Sequence, residues 1–180
     1  MLEYVTLIRG WALRQAKVLA FAAVMAALSL ILSMPPFAIP ISVGSFSSEI
    51  HFSQLPIFIS GILAGPWAGL LTGAIGGLYM SFEKIPFIVG GLAILGVSAG
   101  LFAKKFRPLF SGIFAWCVQA PYVFVTDYIW FTDLTNMMPP AVALTAVSTI
   151  LIKLTIEAVI SSAIVQILIP YIKRAGVTFK

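Results

Sequence analysis

A few ionisable side chains stand inside otherwise apolar stretches of the chain. Lys153 and Glu157 are four positions apart in the last of these stretches, so they share one face of a helix. A charged group at membrane depth costs roughly 2.5–3.5 kcal/mol on insertion scales, and such groups usually line cavities or pair with one another. The spacing leaves two interpretations open, a mutual ion pair or a pair of groups that faces a ligand.

The preceding apolar stretch carries polar groups at a matching depth. Helical rise places Asp127 about 30 Å from the basic turn before its helix, and Lys153 about 28 Å from the basic end of the last one. On or beside the face of Asp127 lie Gln119, Tyr122 and Trp130. This arrangement predicts a pocket open to the exterior, with an Asp127–Lys153 structural pair and an interfacial aromatic belt as alternatives.

Glu49 and His51 stand where a long polar segment meets the next apolar stretch. They alternate with Ile50 and Phe52, so both polar side chains can face the same side. We expect residues 35–51, with three prolines, to form a loop that acts as a lid over the pocket. The alternative is a solvated loop end.

Composition identifies an integral membrane protein and argues against several function classes. The 180-residue chain is 61% hydrophobic and 9% charged, whereas soluble domains run near 45–50% and 25%. Membrane topology explains the net charge of +5 better than nucleic-acid binding does. One Cys and one His cannot form a zinc or copper site unaided. We expect no metal site, no cofactor, no phosphate-binding loop and no catalytic constellation, hence no enzyme.

We predict an all-α, single-domain protein (residues 1–180) with six membrane spans and cytoplasmic N- and C-termini. This topology places every Lys and Arg except Lys84 and Lys153 on the inside, as the positive-inside rule requires. The predicted spans are about 16–34, 52–64, 66–82, 87–103, 109–131 and 141–172.

Glycines organise the second and third spans. In the uncharged segment 55–79 they recur at every fourth position from 61 to 77, which places them on one helix face. In lipid, a face of small residues lets another helix approach closely. Gly65-Pro66 interrupts the segment and predicts a tight turn between two helices.

These residues resemble the S components of energy-coupling factor (ECF) vitamin transporters. Ala22-Ala23-Val24-Met25-Ala26-Ala27-Leu28 is similar to the Ala-x-x-x-Ala helix of that family. Leu55-Pro56 through Gly65-Pro66-x-x-Gly69 is similar to its turn between helices two and three. Segment 50–56 is similar to the riboflavin members, although their Asn-rich end of helix three is missing, and no N-terminal Met-His segment of the metal-transporting members is present.

The resemblance implies a high-affinity substrate-binding subunit in a prokaryotic plasma membrane. Its substrate is a vitamin or related small heterocycle, and its partners are a transmembrane T component and two cytoplasmic ATPase subunits. Carried over by position, Ala23 and Ala27 contact the T component. The first loop and helices four to six form the pocket, which puts forward Glu49, His51, Gln119, Asp127, Lys153 and Glu157. The alternative function is a self-sufficient oligomeric transporter or channel subunit.

Overall fold

The computed structural model is a helical bundle with one short β-hairpin inserted after the first helix. It describes the backbone of residues 2–43 and 46–179, and the side chains of residues 12–40 and 49–179. In chain order the elements are α1 (Leu2–Leu32), β1 (Ile39–Val43), β2 (Phe46–Ile50), α2 (Gln54–Ala64), α3 (Pro66–Gly76), α4 (Leu78–Glu83), α5 (Ile88–Phe102), α6 (Pro108–Ile129) and α7 (Pro140–Arg174). A 3₁₀ turn at Pro35–Phe37 follows α1, and Trp130–Leu134 extend α6 as a π-helical turn.

Helix length and hydropathy agree with an all-α membrane protein. Three segments of the described chain are long and apolar enough to cross a bilayer, namely Ala12–Leu32, Pro108–Leu134 and Pro140–Arg174. Helices α2 and α5 are apolar but shorter. At the helical rise α2 is about 16 Å long, roughly half of a hydrocarbon core. The six-span topology therefore stays a prediction, while the helical membrane class is confirmed.

Close packing of α3 against α5 depends on glycine. A Cβ placed on Gly61 of α2 would lie 2.6 Å from the carbonyl oxygen of Gly96, and one on Gly69 of α3 would also collide with that oxygen. A Cβ on Gly73 would collide with the backbone of Leu92. The glycine face thus brings backbone against backbone, as its four-residue spacing predicted, and its partner is α5.

The Gly65-Pro66 turn joins α2 to α3 without a loop. Gly65 has φ 99° and ψ 175°, a conformation that a residue with a Cβ rarely adopts. Pro66 then begins α3, where its missing N–H is tolerated. The predicted tight turn between two helices is confirmed.

The segment between α1 and α2 is more ordered than an irregular loop, and this corrects the expectation for residues 35–51. Strands β1 and β2 pair antiparallel, with Ile39 opposite Ile50 and Pro40 opposite Glu49. Pro40 is tolerated in β1 because each strand of a two-stranded ribbon is an edge. Gly44 and Ser45, which connect the strands in sequence, lie outside the described residues.

Two helices differ in extent from the predicted spans. Helix α1 begins at Leu2 and so extends beyond the span predicted from about residue 16, because no proline before Pro35 breaks it. The segment predicted as one helix over 66–82 is interrupted at Gly77, between α3 and α4. Two consecutive glycines, Gly76 and Gly77, favour this interruption because glycine weakens a helix interior.

Helix α1 uses only one of its alanine faces inside the bundle. Ala22 and Ala26 are 2% and 1% exposed, and the hydroxyl of Thr72 on α3 donates to the Ala22 carbonyl at 3.2 Å. Ala23 and Ala27 are exposed. The fold therefore leaves a small-residue face of α1 uncovered.

Candidate functional site

One end of the bundle encloses a cavity of about 670 Å³. It lies among the end of α1, the exit of β2, the start of α2, the α4–α5 region, the C-terminal half of α6 and the N-terminal half of α7. All eight predicted binding residues line it: Glu49, His51, Gln119, Tyr122, Asp127, Trp130, Lys153 and Glu157. Helices that are far apart in sequence thus bring these side chains together.

Glu157 makes two polar contacts in the inner wall of the cavity. Its side chain is almost fully buried, and Lys153 Nζ lies 3.4 Å from Glu157 Oε1. The same oxygen accepts the backbone N–H of His51 at 2.7 Å. The two charged groups therefore pair with each other, and Glu157 also attaches the exit of the hairpin to α7.

Glu49 belongs to a more exposed ion pair at the rim. Lys84, just after α4, donates from Nζ to Glu49 Oε2 at 3.1 Å. This hydrogen bond and the positive charge of Lys84 hold the pKa of Glu49 below its usual value. The pair bridges the hairpin to the turn between α4 and α5, so it lies across one edge of the cavity.

His51 is buried between these two ion pairs. Its side chain is 3% exposed, and its Nε2 lies 3.5 Å from Glu49 Oε2. Burial lowers the pKa of His51 to about 4; the positive charges of Lys153 and Lys84 act in the same direction, against the opposing effect of Glu49. The imidazole is therefore neutral at pH 7, so it offers one donor and one acceptor.

The α6 side of the cavity combines one carboxyl group with aromatic rings. Asp127 is 5% exposed, and no described Lys or Arg side chain forms an ion pair with it. The alternative Asp127–Lys153 pair is therefore wrong, because Lys153 pairs with Glu157. Trp130 packs edge-on against Phe87 with centroids 6.1 Å apart, and the Tyr122 hydroxyl donates to the Phe87 carbonyl at 3.3 Å. These contacts make Trp130 and Tyr122 part of the cavity wall.

Among the cavity-lining residues that sequence reasoning missed, three carry polar side chains that matter for the site. Gln54 begins α2, Tyr79 lies in α4, and Lys84 follows α4. Lys84 was treated only as an exception to the charge rule, since its partner Glu49 is distant in sequence. Gln54 stands at the start of an apolar helix, where nothing in the local sequence separates a cavity residue from a solvated helix end.

The described residues contain no group of three or more His, Cys, Asp or Glu side chains placed to hold a metal ion. The cavity instead offers neutral hydrogen-bonding groups, two ion pairs, the Asp127 carboxyl group and aromatic surface. Such a lining binds a small, mostly apolar molecule through a few directed polar contacts.

Comparison with known families gives a match along almost the whole chain. The model of the family "ECF-type riboflavin transporter, S component" matches residues 14–175. Among curated proteins and among solved structures, no match to the chain was found. The matched range includes every residue of the cavity wall. The chain therefore belongs to the family of S components of ECF-type riboflavin transporters.

Proposed function

We propose that this protein is the riboflavin-binding subunit of an ATP-driven importer in a prokaryotic plasma membrane. One observation carries the proposal: a chain of this family gathers its buried His, Gln, Asp and Glu side chains around one cavity at one end of the bundle. The cavity volume of about 670 Å³ is within the usual range of small-molecule pockets. Its rings, among them Tyr79, Phe87, Tyr122 and Trp130, suit a flat heterocycle.

The charge distribution supports a cavity that opens to the exterior. Lys104, Lys105 and Arg107 lie between α5 and α6, and Lys173 and Arg174 end α7. These positions are at the opposite ends of the same helices whose other halves line the cavity. Under the positive-inside rule the basic end is cytoplasmic, which favours six spans with both termini inside.

The exposed face of α1 supports docking to a membrane partner. Ala23 and Ala27 are exposed, whereas their neighbours Ala22 and Ala26 pack inside the bundle. Small residues four apart allow a second helix to approach closely in lipid. In this proposal the partner is the T component, which carries two cytoplasmic ATPase subunits.

Reconstitution tests the transport role. Proteoliposomes with this chain, the T component and both ATPase subunits should accumulate radiolabelled riboflavin only when ATP is supplied to the ATPase side. Liposomes with this chain alone should bind riboflavin without accumulating it. Accumulation by the chain alone would contradict the proposal and favour a self-sufficient oligomeric transporter.

A further inference from the structure

Three buried side chains of the cavity carry polar atoms without a hydrogen-bond partner. Within the described part of the chain these atoms include Nε2 and Oε1 of Gln54, Oε1 of Gln119, and both ring nitrogens of His51. The three residues are 1%, 3% and 2% exposed. An unsatisfied buried polar group destabilises the folded state, so native proteins rarely keep several together without a reason. All three residues line the cavity, where a ligand can satisfy them.

This unsatisfied set is electrically neutral. Both glutamines are uncharged, and burial lowers the pKa of His51 to about 4, so its ring is neutral at pH 7. Lys153 and Glu157 neutralise each other at 3.4 Å, and Lys84 and Glu49 do so at 3.1 Å. The free hydrogen-bonding capacity of these three side chains therefore matches an uncharged polar edge better than a carboxylate or an ammonium group, and the unpaired Asp127 carboxyl lies apart from this set, on α6.

Of the three residues, Gln54 is best placed to form hydrogen bonds with an uncharged polar edge of a ligand. It is the first residue of α2, and the carbonyl of the preceding Ser53 accepts the Ser29 hydroxyl at 2.8 Å, which attaches this turn to α1. Both ends of its carboxamide are free. A carboxamide presents an N–H donor beside a C=O acceptor, which pairs two-fold with an amide-type edge.

Gln119 faces the same cavity from α6 and has little freedom. A Cβ placed on Gly91 of α5 would lie 3.2 Å from Gln119 Nε2 and 3.5 Å from the Tyr122 ring. The absence of a side chain at Gly91 thus makes room for the Gln119 amide. Its Oε1 remains a free acceptor.

We propose that Gln54, with Gln119, recognises the imide edge of the flavin ring, where N3–H lies between the C2 and C4 carbonyls. The Gln54 Oε1 accepts from N3–H and its Nε2 donates to the adjacent carbonyl. Gln119 and His51 complete the polar subsite. This assignment rests on the proposed riboflavin-binding function, and it makes Gln54 a determinant of specificity.

A mutant–ligand cycle tests the assignment. Riboflavin and 3-methylriboflavin, which lacks the N3–H, are titrated into purified wild-type protein and into Gln54→Met, with flavin fluorescence as the readout. In wild type, the methyl group should weaken binding about tenfold or more, the loss expected for a broken hydrogen bond in a buried site. In Gln54→Met riboflavin itself should bind about tenfold more weakly, and the methyl group should then add less than about threefold.

Two further variants keep the cycle interpretable. Gln166→Met is the matched control, because Gln166 accepts the Leu109 N–H at 3.1 Å outside the cavity and should leave the methyl penalty at its wild-type size. Gln54→Asn repeats the cycle with a retained carboxamide and is decisive if Gln54→Met does not purify as a folded protein. Its shorter side chain should also reduce the methyl penalty.

The outcomes separate this assignment from the proposed function. Suppose that wild-type protein binds riboflavin and that the N3-methyl group weakens binding to the Gln54 variants as much as it weakens binding to wild type. The assignment is then wrong and the riboflavin function stands. If wild-type protein does not bind riboflavin, the proposed function itself fails. A methyl penalty that shrinks only in the Gln54 variants supports the subsite.

Discussion

Glu157 Oε1 accepts the backbone N–H of His51 at 2.7 Å, and this bond attaches the hairpin exit to the last helix. The same oxygen lies 3.4 Å from Lys153 Nζ. One buried carboxylate therefore holds both a loop backbone and an ammonium group. This makes Glu157 a positioning residue for the cavity wall as well as a candidate ligand contact.

Removal of one member of this pair should be costly. In Glu157→Ala the buried Lys153 loses its partner, and breaking a buried pair in this way typically costs about 3–5 kcal/mol. We expect a lower midpoint of thermal unfolding in detergent and riboflavin affinity weakened tenfold or more. In the double variant Lys153→Met/Glu157→Leu the unfolding midpoint should recover in part, because no lone buried charge remains while the His51 N–H still lacks its acceptor. If the double variant is as unstable as Glu157→Ala, the unpaired charge is not the cause.

The rim pair should control kinetics more than affinity. Lys84 and Glu49 are about half and one third exposed, and such pairs contribute about 0–1 kcal/mol. In Lys84→Gln we expect riboflavin dissociation to accelerate severalfold in stopped-flow fluorescence, with a smaller effect at high salt. The charge-swapped variant Glu49→Lys/Lys84→Glu should restore the slow rate. Unchanged dissociation in Lys84→Gln would show that the pair does not hold the hairpin over the cavity.

Protonation of His51 should weaken binding in acid. Its folded-state pKa of about 4 lies below the usual 6.5, so its contribution to folding stability is lost as pH falls from about 6.5 through 4. Riboflavin affinity depends on the folded protein alone, so we expect it to be flat from pH 8 to about pH 5 and to fall as pH drops through about 4. In His51→Asn the acid loss should be smaller. Parallel pH profiles of the two proteins would contradict this role.

The uncovered face of α1 should be required for transport and not for ligand binding. Ala23→Trp adds bulk on the exposed face, so riboflavin binding should be unchanged and ATP-dependent uptake abolished. Ile152→Trp, at a residue 65% exposed on α7, is the matched control and should transport normally. Ala22→Trp should instead destabilise the fold, since Ala22 packs inside the bundle. Normal uptake by Ala23→Trp would remove this face from the docking surface.

The sequence predicted the cavity because depth can be counted along a helix. Asp127 and Lys153 were placed at one level by helical rise alone, and both line the cavity. The glycine spacing predicted close helix packing because residues four apart share one helix face, but it could not identify α5 as the partner of Gly69. Which helices become neighbours depends on the packing of the whole bundle.

Two features of the cavity could not be predicted from local sequence patterns, the Glu49–Lys84 ion pair and the burial of Gln54. The Glu49–Lys84 pair joins residues on separate elements, so neither side chain signals the other in the sequence. Gln54 is a polar residue at the start of an apolar helix, a position equally typical of a solvated helix end. Only the surrounding bundle makes it 1% exposed and leaves its carboxamide free.

Direct titration of the purified chain is the sharpest test of the account. Riboflavin added to the isolated protein in detergent, without ATP or any partner subunit, should bind at one molecule per chain with quenched flavin fluorescence. Mass spectrometry of the protein purified from its native membrane should identify riboflavin or a close relative as the bound molecule. No riboflavin binding at micromolar concentration, or a bound molecule without a flavin ring, would contradict the account.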